Sequence, residues 1–219
     1  MKKAVIFGDT NYSGMIYSYI KNTPGCPEVS AFVVDRAYIK KNEFCGIPVR
    51  AAEDILSDFP PVDYDVYICI GYQKMNEIRR TVFNRLKDMG YHILNYIHPD
   101  ARVYGSKIGE GNIVLTFAII GLHSEIGNCN IFMDGSVFGH DTVMGNFNYF
   151  SYNAVTGGYA NVGNCCFFGL NSSIANKLTI GDKTMVGVGS VVTESTEEGT
   201  VIIAQKPIIL KGKSHLVNF

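Results

Sequence analysis

From Ile108 onward the apolar residues fall on every sixth position. Ile108, Val114, Ile120, Ile126, Phe132, Phe138, Met144, Phe150, Val162, Phe168, Ile174, Ile180, Val186 and Val192 share one frame, and only Thr156 breaks it. A helix repeats at about 3.6 residues and a strand at about 2, so a period of six predicts a short strand followed by a corner. Three such units make a triangular coil, and stacked coils bury their apolar residues along a common axis. The residue after the apolar position is usually glycine, as at Gly109, Gly121, Gly127, Gly139, Gly145, Gly157, Gly163, Gly169, Gly181 and Gly187. This predicts a corner of positive φ at those glycines. Four residues after the apolar position the side chain is usually small or polar, as at Ala118, Ser124, Ser136, Thr142, Ala154, Ala160, Ser172 and Ser190. A narrow coil has room for little more. The corner pairs Ile108-Gly109, Ile126-Gly127, Met144-Gly145, Val162-Gly163 and Ile180-Gly181 recur every eighteen residues, one turn of a three-sided solenoid.

Before the repeats the pattern is different. "KAVIFG" and "VSAFVVD" read as buried strands ending at Gly8 and Asp35, with "GMIYSYIKN" a helix between them, after a loop from Gly8 to Gly14. "DVYICIG" reads as a third strand. A helix follows it with Met75, Ile78, Val82, Phe83, Leu86 and Met89 on one face. Strand, glycine loop, helix, strand and acidic residue make a βαβ unit of nucleotide-binding character, although the loop is not G-x-G-x-x-G. "NYIHPDARV" reads as a linker. The expected organisation is a Rossmann-like α/β domain over 1–97, a parallel β-helix over 98–196, and a closing tail over 197–219.

Charge and composition narrow the partners. Acidic and basic residues nearly cancel, at a net charge of -1, and no basic stripe suggests nucleic acid. No apolar run is long enough for a signal peptide or a membrane span, so a cytoplasmic protein is expected. The six cysteines show no paired spacing and read as buried thiols rather than a disulfide frame.

The candidate chemistry lies in "FMDGSVFGHDTVMGNF". His140 follows Gly139 at a corner, so its side chain should point outward, and a solvated surface histidine has to be weighed against a catalytic one. Asp141 beside it can fix the ring tautomer or raise its basicity. Gly158 lies one coil on, where its N–H could face a developing oxyanion. Asn176 follows along the same corner. His123 and His140, seventeen residues apart, do not make the three-histidine set of a zinc site, so no metal is expected.

Repeat by repeat, the second half resembles the left-handed parallel β-helix of the hexapeptide-repeat acyltransferases, and "IGDKTMVGVGSVVT" is similar to that superfamily's closing coil. The whole chain resembles one branch of it, the sugar acetyltransferases related to the bacillosamine-pathway enzyme and the sialic-acid O-acetyltransferases. The resemblance implies an acetyl-CoA donor, a nucleotide-linked amino sugar as acceptor, His140 with Asp141 as the catalytic pair, and a homotrimer. It places substrate contacts at Thr10, Asn11 and Tyr12, at Asp35 and Arg36, and at Gly71. It places the donor along Gly158 and Asn176, with pantetheine contacts at Leu170 and Val188 as well; Lys206, Lys211 and Lys213 of the tail either meet CoA phosphates or form a solvated basic end. Near the chemistry the chain departs from the family pattern. Tyr149 stands where a second histidine, contacting the acetyl group or acceptor, is usual, and could still donate a hydrogen bond to a carbonyl. Met133, followed by Asp134, stands where an asparagine is usual, and these two are expected at the acceptor. These departures suggest an altered acceptor. O-acetylation of a sialic acid, or a trimeric binding protein that has lost catalysis, remains as an alternative.

Overall fold

The computed structural model describes residues 2–104 and 107–206. The chain opens with a five-stranded sheet in the order β3-β4-β2-β1-β5. It comprises β1 (Lys3–Phe7), β2 (Val29–Val34), β3 (Glu43–Phe44), β4 (Ile47–Ala51) and β5 (Tyr64–Ile68). β4, β2, β1 and β5 run parallel, and only β3 is antiparallel to its neighbour. The runs in β1, β2 and β5 are apolar almost throughout because helices or the second domain cover both faces of the sheet. The helices are α1 (Asn11–Asn22), α2 (Ile55–Asp58) and α3 (Glu77–Asp88).

Two boundaries differ from the sequence reading. α1 starts at Asn11 rather than after Gly14, because Thr10 caps it. Ser13 N–H donates to Thr10 Oγ1, and Thr10 N–H donates to Ser13 Oγ, at 3.4 and 3.2 Å. Gly14 is therefore helical, and a Cβ there would stand 3.0 Å from the Phe44 ring. The stretch read as a linker is instead the first coil of the second domain, with Tyr96–Ile97 and Arg102–Val103 already paired in its sheets.

That second domain is a left-handed parallel β-helix with three faces. Among the described residues these have seven, six and five strands. From Lys107 to Val192 each two-residue strand pairs in register with the one eighteen residues on, as Ile119 and Ile120 do with Val137 and Phe138, while the first coil pairs at seventeen and the last strand at sixteen. The six-periodic side chains fill the axis, where Phe132, Phe150 and Phe168 form a ring-on-ring column that Phe138 meets edge-on. The small residues four positions later are buried, as expected.

The glycines that directly follow the apolar positions are not where the chain turns left-handed. From Ile108 to Val186 positive φ occurs three residues after each position of the frame, at Gly111, Phe117, His123, Cys129, Gly135, Asp141, Phe147, Asn153, Tyr159, Cys165, Asn171, Lys177, Lys183 and Gly189. The glycines after the apolar positions serve closeness instead. A Cβ on Gly127 would lie 2.5 Å from the Gly145 carbonyl oxygen of the next coil.

The α/β domain rests on the seven-stranded face. Ile16, Tyr17 and Ile20 of α1 share one core with Tyr96, Ile113, Ile131, Met133 and Tyr149. On the flanking corner a buried arginine joins the two parts. Arg79 of α3, fully buried, donates to the carbonyls of Ile70 and Gly71 on its own side and of Cys129, Phe147 and Asn148 across the junction. The apolar face expected for α3 holds at Val82, Phe83 and Leu86, while Ile78 is exposed.

Candidate functional site

Two features carry chemistry, and they lie on opposite sides of the β-helix. The first is a cavity of 610 Å³ in the α/β domain. It opens where β1 and β2 end, the crevice that parallel α/β sheets use for ligands. Its apolar wall includes Phe7, Val34, Ile70, Ile78 and Val82, and Thr10, Asp35, Tyr38, Lys40, Lys41 and Gln73 supply polar groups. Gly8 sits at φ +121 on its floor, where a Cβ would stand 2.7 Å from the Cys69 carbonyl oxygen, so the tight exit from β1 needs glycine.

Of the substrate residues expected from sequence, Thr10 and Asp35 line this cavity. Thr10 is also the helix cap, and the Asp35 carboxylate accepts from Arg85 at 2.7 Å. The others are placed differently. Asn11 is an exposed first residue of α1. Tyr12 turns its hydroxyl inward, where it is buried with no hydrogen-bond partner among the described residues, and burial pushes its pKa well up. Arg36 points to the surface, paired with Asp54 at 2.7 Å. The Gly71 carbonyl is held by Arg79 at 2.7 Å. Met133 is buried between the two domains, so it cannot touch a ligand as expected. Tyr38, Lys40 and Lys41 in the loop after β2, and Gln73 after β5, also line the cavity and went unmarked because neither loop carries a motif.

The second feature is the corner between the six- and five-stranded faces. His140 projects outward, as expected, and its Nδ1 lies 2.7 Å from Asp141 Oδ2. The other Asp141 oxygen meets His123 Nδ1 at 3.2 Å. The bond to His140, followed by that to His123, holds the Asp141 carboxyl below its ordinary value. The His140 ring lies across Gly158, where a Cβ would come within 2.7 Å of Nε2, and Tyr159 meets it edge-on at 5.2 Å. Gly158 N–H, expected to face an oxyanion, donates here to Asn176 Oδ1 at 3.1 Å, and the lack of a Cβ on this glycine leaves room for the imidazole. One coil below His140, Thr156 breaks the apolar frame for a visible reason. Its hydroxyl accepts from Gly139 N–H at 3.0 Å, directly before the histidine.

The remaining expected contacts spread over other parts of the solenoid. Leu170 and Val188 are exposed at the corner between the seven- and six-stranded faces, the same corner as Asp134. Tyr149 is on the seven-stranded face, stacked on Phe167 at 5.6 Å and covered by Tyr72 at 5.0 Å. Lys206 is exposed beyond the last strand. Lys211 and Lys213 lie outside the described residues. Among the described residues no group of three or more His, Cys, Asp or Glu is placed to hold a metal ion. No helix among them is long and apolar enough to cross a membrane. Of the cysteines, Cys69, Cys129, Cys165 and Cys166 are buried, whereas Cys45 is exposed.

No family model matches the sequence, and no curated protein matches it either. Solved structures do share the fold over nearly the whole chain. The acetyltransferase domain of PglB from Neisseria gonorrhoeae FA1090 is 22% identical, with a TM-score of 0.82 over 92% of this chain and 96% of that one. PerB from Caulobacter crescentus, solved with CoA and GDP-perosamine, is 24% identical, with a TM-score of 0.81 over 92% and 93%. WeeI from Acinetobacter baumannii AYE is 21% identical, with a TM-score of 0.80 over 93% and 97%. These likenesses agree with the two-part fold read from the hexapeptide register.

Proposed function

We propose that the protein transfers an acetyl group from acetyl-CoA to the amino group of a nucleotide-linked sugar, with His140 as general base. The observation that carries the reading is the His140–Asp141 pair laid over Gly158, on the fold that PerB presents with CoA and GDP-perosamine. Asp141 keeps the imidazole proton at Nδ1, which leaves the Nε2 lone pair, over Gly158, to act as the base. The acceptor nitrogen attacks the thioester carbonyl carbon and its proton passes to Nε2. The tetrahedral intermediate collapses, the C–S bond breaks, and the CoA thiolate leaves. No side chain need be acylated.

The 610 Å³ cavity is read as the nucleotide site, with the apolar wall against the base and Lys40 and Lys41 toward the phosphates. Its loops pack on the seven-stranded face, where Tyr72 covers Tyr149 and Phe167. His140 is at the corner opposite that face. A sugar held in the cavity is therefore shut off from the histidine of its own chain and needs that of another copy. Such a head-to-tail contact closes into a ring, and a homotrimer is the ring we propose. The apolar residues Ile119, Val137, Val155 and Val191, which point outward from the six-stranded face, support a covered surface there. Asn176, Leu170, Val188 and Lys206 would then edge the cleft that takes the CoA arm.

The test is CoA release from acetyl-CoA against a panel of nucleotide-linked amino sugars and free sialic acid, with wild type and His140→Ala compared. Turnover with an amino sugar, reduced by about 10²–10⁴ in the variant, is expected. Turnover with sialic acid alone, or undiminished turnover in the variant, would overturn the reading.

A further inference from the structure

Asp141 holds two imidazoles, and the proposed chemistry uses only one. Oδ2 faces His140 Nδ1 at 2.7 Å, and Oδ1 faces His123 Nδ1 at 3.2 Å. His123 occupies the same left-handed corner position one coil earlier, at φ 60 against φ 53 for Asp141. We propose that His123 is a positioning residue for His140, acting through the carboxylate of Asp141. This inference rests on reading His140 as the base.

The Asp141 backbone is held by its own N–H, which donates to the Leu122 carbonyl oxygen at 2.8 Å. Its side chain is one-third exposed, and the terminal torsion of an aspartate is broad. A carboxylate bound on one oxygen alone can swing in its plane and share that bond with water. Held by His123 on Oδ1, it presents Oδ2 to His140 in one orientation. That orientation decides which His140 nitrogen carries the proton, and hence whether Nε2 is the free base. His123 itself is 73% exposed, so packing gives it little other role. Second partners of this kind tune an imidazole in metal sites, where the carboxylate behind the histidine fixes its tautomer. Here the arrangement is one step longer, with an imidazole behind the carboxylate.

The experiment reads tautomers and rates separately. Long-range ¹H–¹⁵N correlation of the labelled imidazoles at neutral pH reports the protonated nitrogen of His140 in wild type, His123→Phe and His123→Gln. Wild type should show the proton on Nδ1. His123→Phe should show a mixture of tautomers and a kcat lower by about tenfold, with KM for acetyl-CoA unchanged. His123→Gln, whose amide N–H can reach Oδ1, should restore the wild-type pattern and most of the rate. A His123→Phe protein that keeps the proton on Nδ1 and the full kcat would overturn the inference. The tautomer signal needs no turnover. A mixture in His123→Phe from a protein whose wild type transfers nothing would uphold the positioning contact and sink the acyltransfer reading instead.

Discussion

Arg79 Nε donates to the Cys129 carbonyl oxygen at 2.9 Å, across the junction between the α/β domain and the β-helix. The rest of the guanidinium is equally committed, to four further carbonyls and, among the described residues, no carboxylate. Burial lowers its pKa, yet every donor has an acceptor, so the charge is solvated by backbone dipoles. Arg79→Met would strand those carbonyls in an apolar junction. We expect a loss on the order of 4 kcal/mol in urea unfolding, with the α/β domain loosening from the helix first. An unfolding curve coincident with wild type would refute the clasp.

Gly127 of the repeats and Gly25 of the loop after α1 separate two kinds of constraint. Gly127→Ala puts a methyl against the Gly145 carbonyl oxygen of the next coil, and neither backbone can yield without breaking the ladder. Gly25→Ala meets nothing within 4 Å and carries only the cost of its φ of +86. Thermal melts should place Gly127→Ala well below Gly25→Ala, by about 2 kcal/mol or more.

Thr156→Val restores the apolar frame at the one position that breaks it. The valine fills the same space but leaves Gly139 N–H, adjacent to His140, without the hydroxyl 3.0 Å away. The lost bond costs about 1 kcal/mol and is largely offset by the added apolar burial. The melting temperature should therefore hardly move while kcat drops several-fold. An unchanged kcat would show that the threonine serves folding only.

The division of the site between copies can be tested by mixing. His140→Ala keeps its cavity, and a Lys40→Glu/Lys41→Glu protein keeps its histidine. Each should be inactive alone against a nucleotide-linked sugar. Co-expressed, about a quarter of the junctions in random rings would join a sound cavity to a sound histidine. Activity near that fraction is expected. Its absence in mixed rings verified by mass would argue for a site within one chain.

Alkali should reveal the buried thiols. Burial pushes Cys129 and Cys166 up to about 12, against about 8.5 in the unfolded chain. Because the folded values are raised, their contribution to stability is intact below about pH 8.5 and is lost as pH climbs toward the folded values. Each thiol should contribute a slope of about 1.4 kcal/mol per pH unit in that window. Stability measured by denaturant from pH 8 to pH 11 checks this, with Cys129→Ala showing a shallower decline.

How much of this was legible beforehand differs from residue to residue. The six-residue frame from Ile108 to Val192 fixes the β-helix core, because a side chain on a two-residue strand points either at the axis or away from it. His140 with Asp141 was visible for the same reason, since the frame says which corner residues face out. Adding eighteen to His123 would have given Asp141, a signal present in the sequence and passed over.

What the frame cannot express is contact between parts far apart in sequence. It placed positive φ on the glycines because both features mark corners. Only stacked coils show that those glycines answer to the backbone of the next coil, while the left-handed residue sits two positions later. It offered Gly158 as a donor, but the Asn176 side chain that takes that N–H comes from the coil beyond. Arg79, a charged residue on an otherwise mixed helix, reads as solvated until the carbonyls of three separate segments are brought around it. By itself the sequence determined the repeat, its core and the outward histidine, because these follow from local periodicity. The tertiary structure alone decided that the cavity and His140 occupy opposite sides of the solenoid, because that depends on which face the first domain covers.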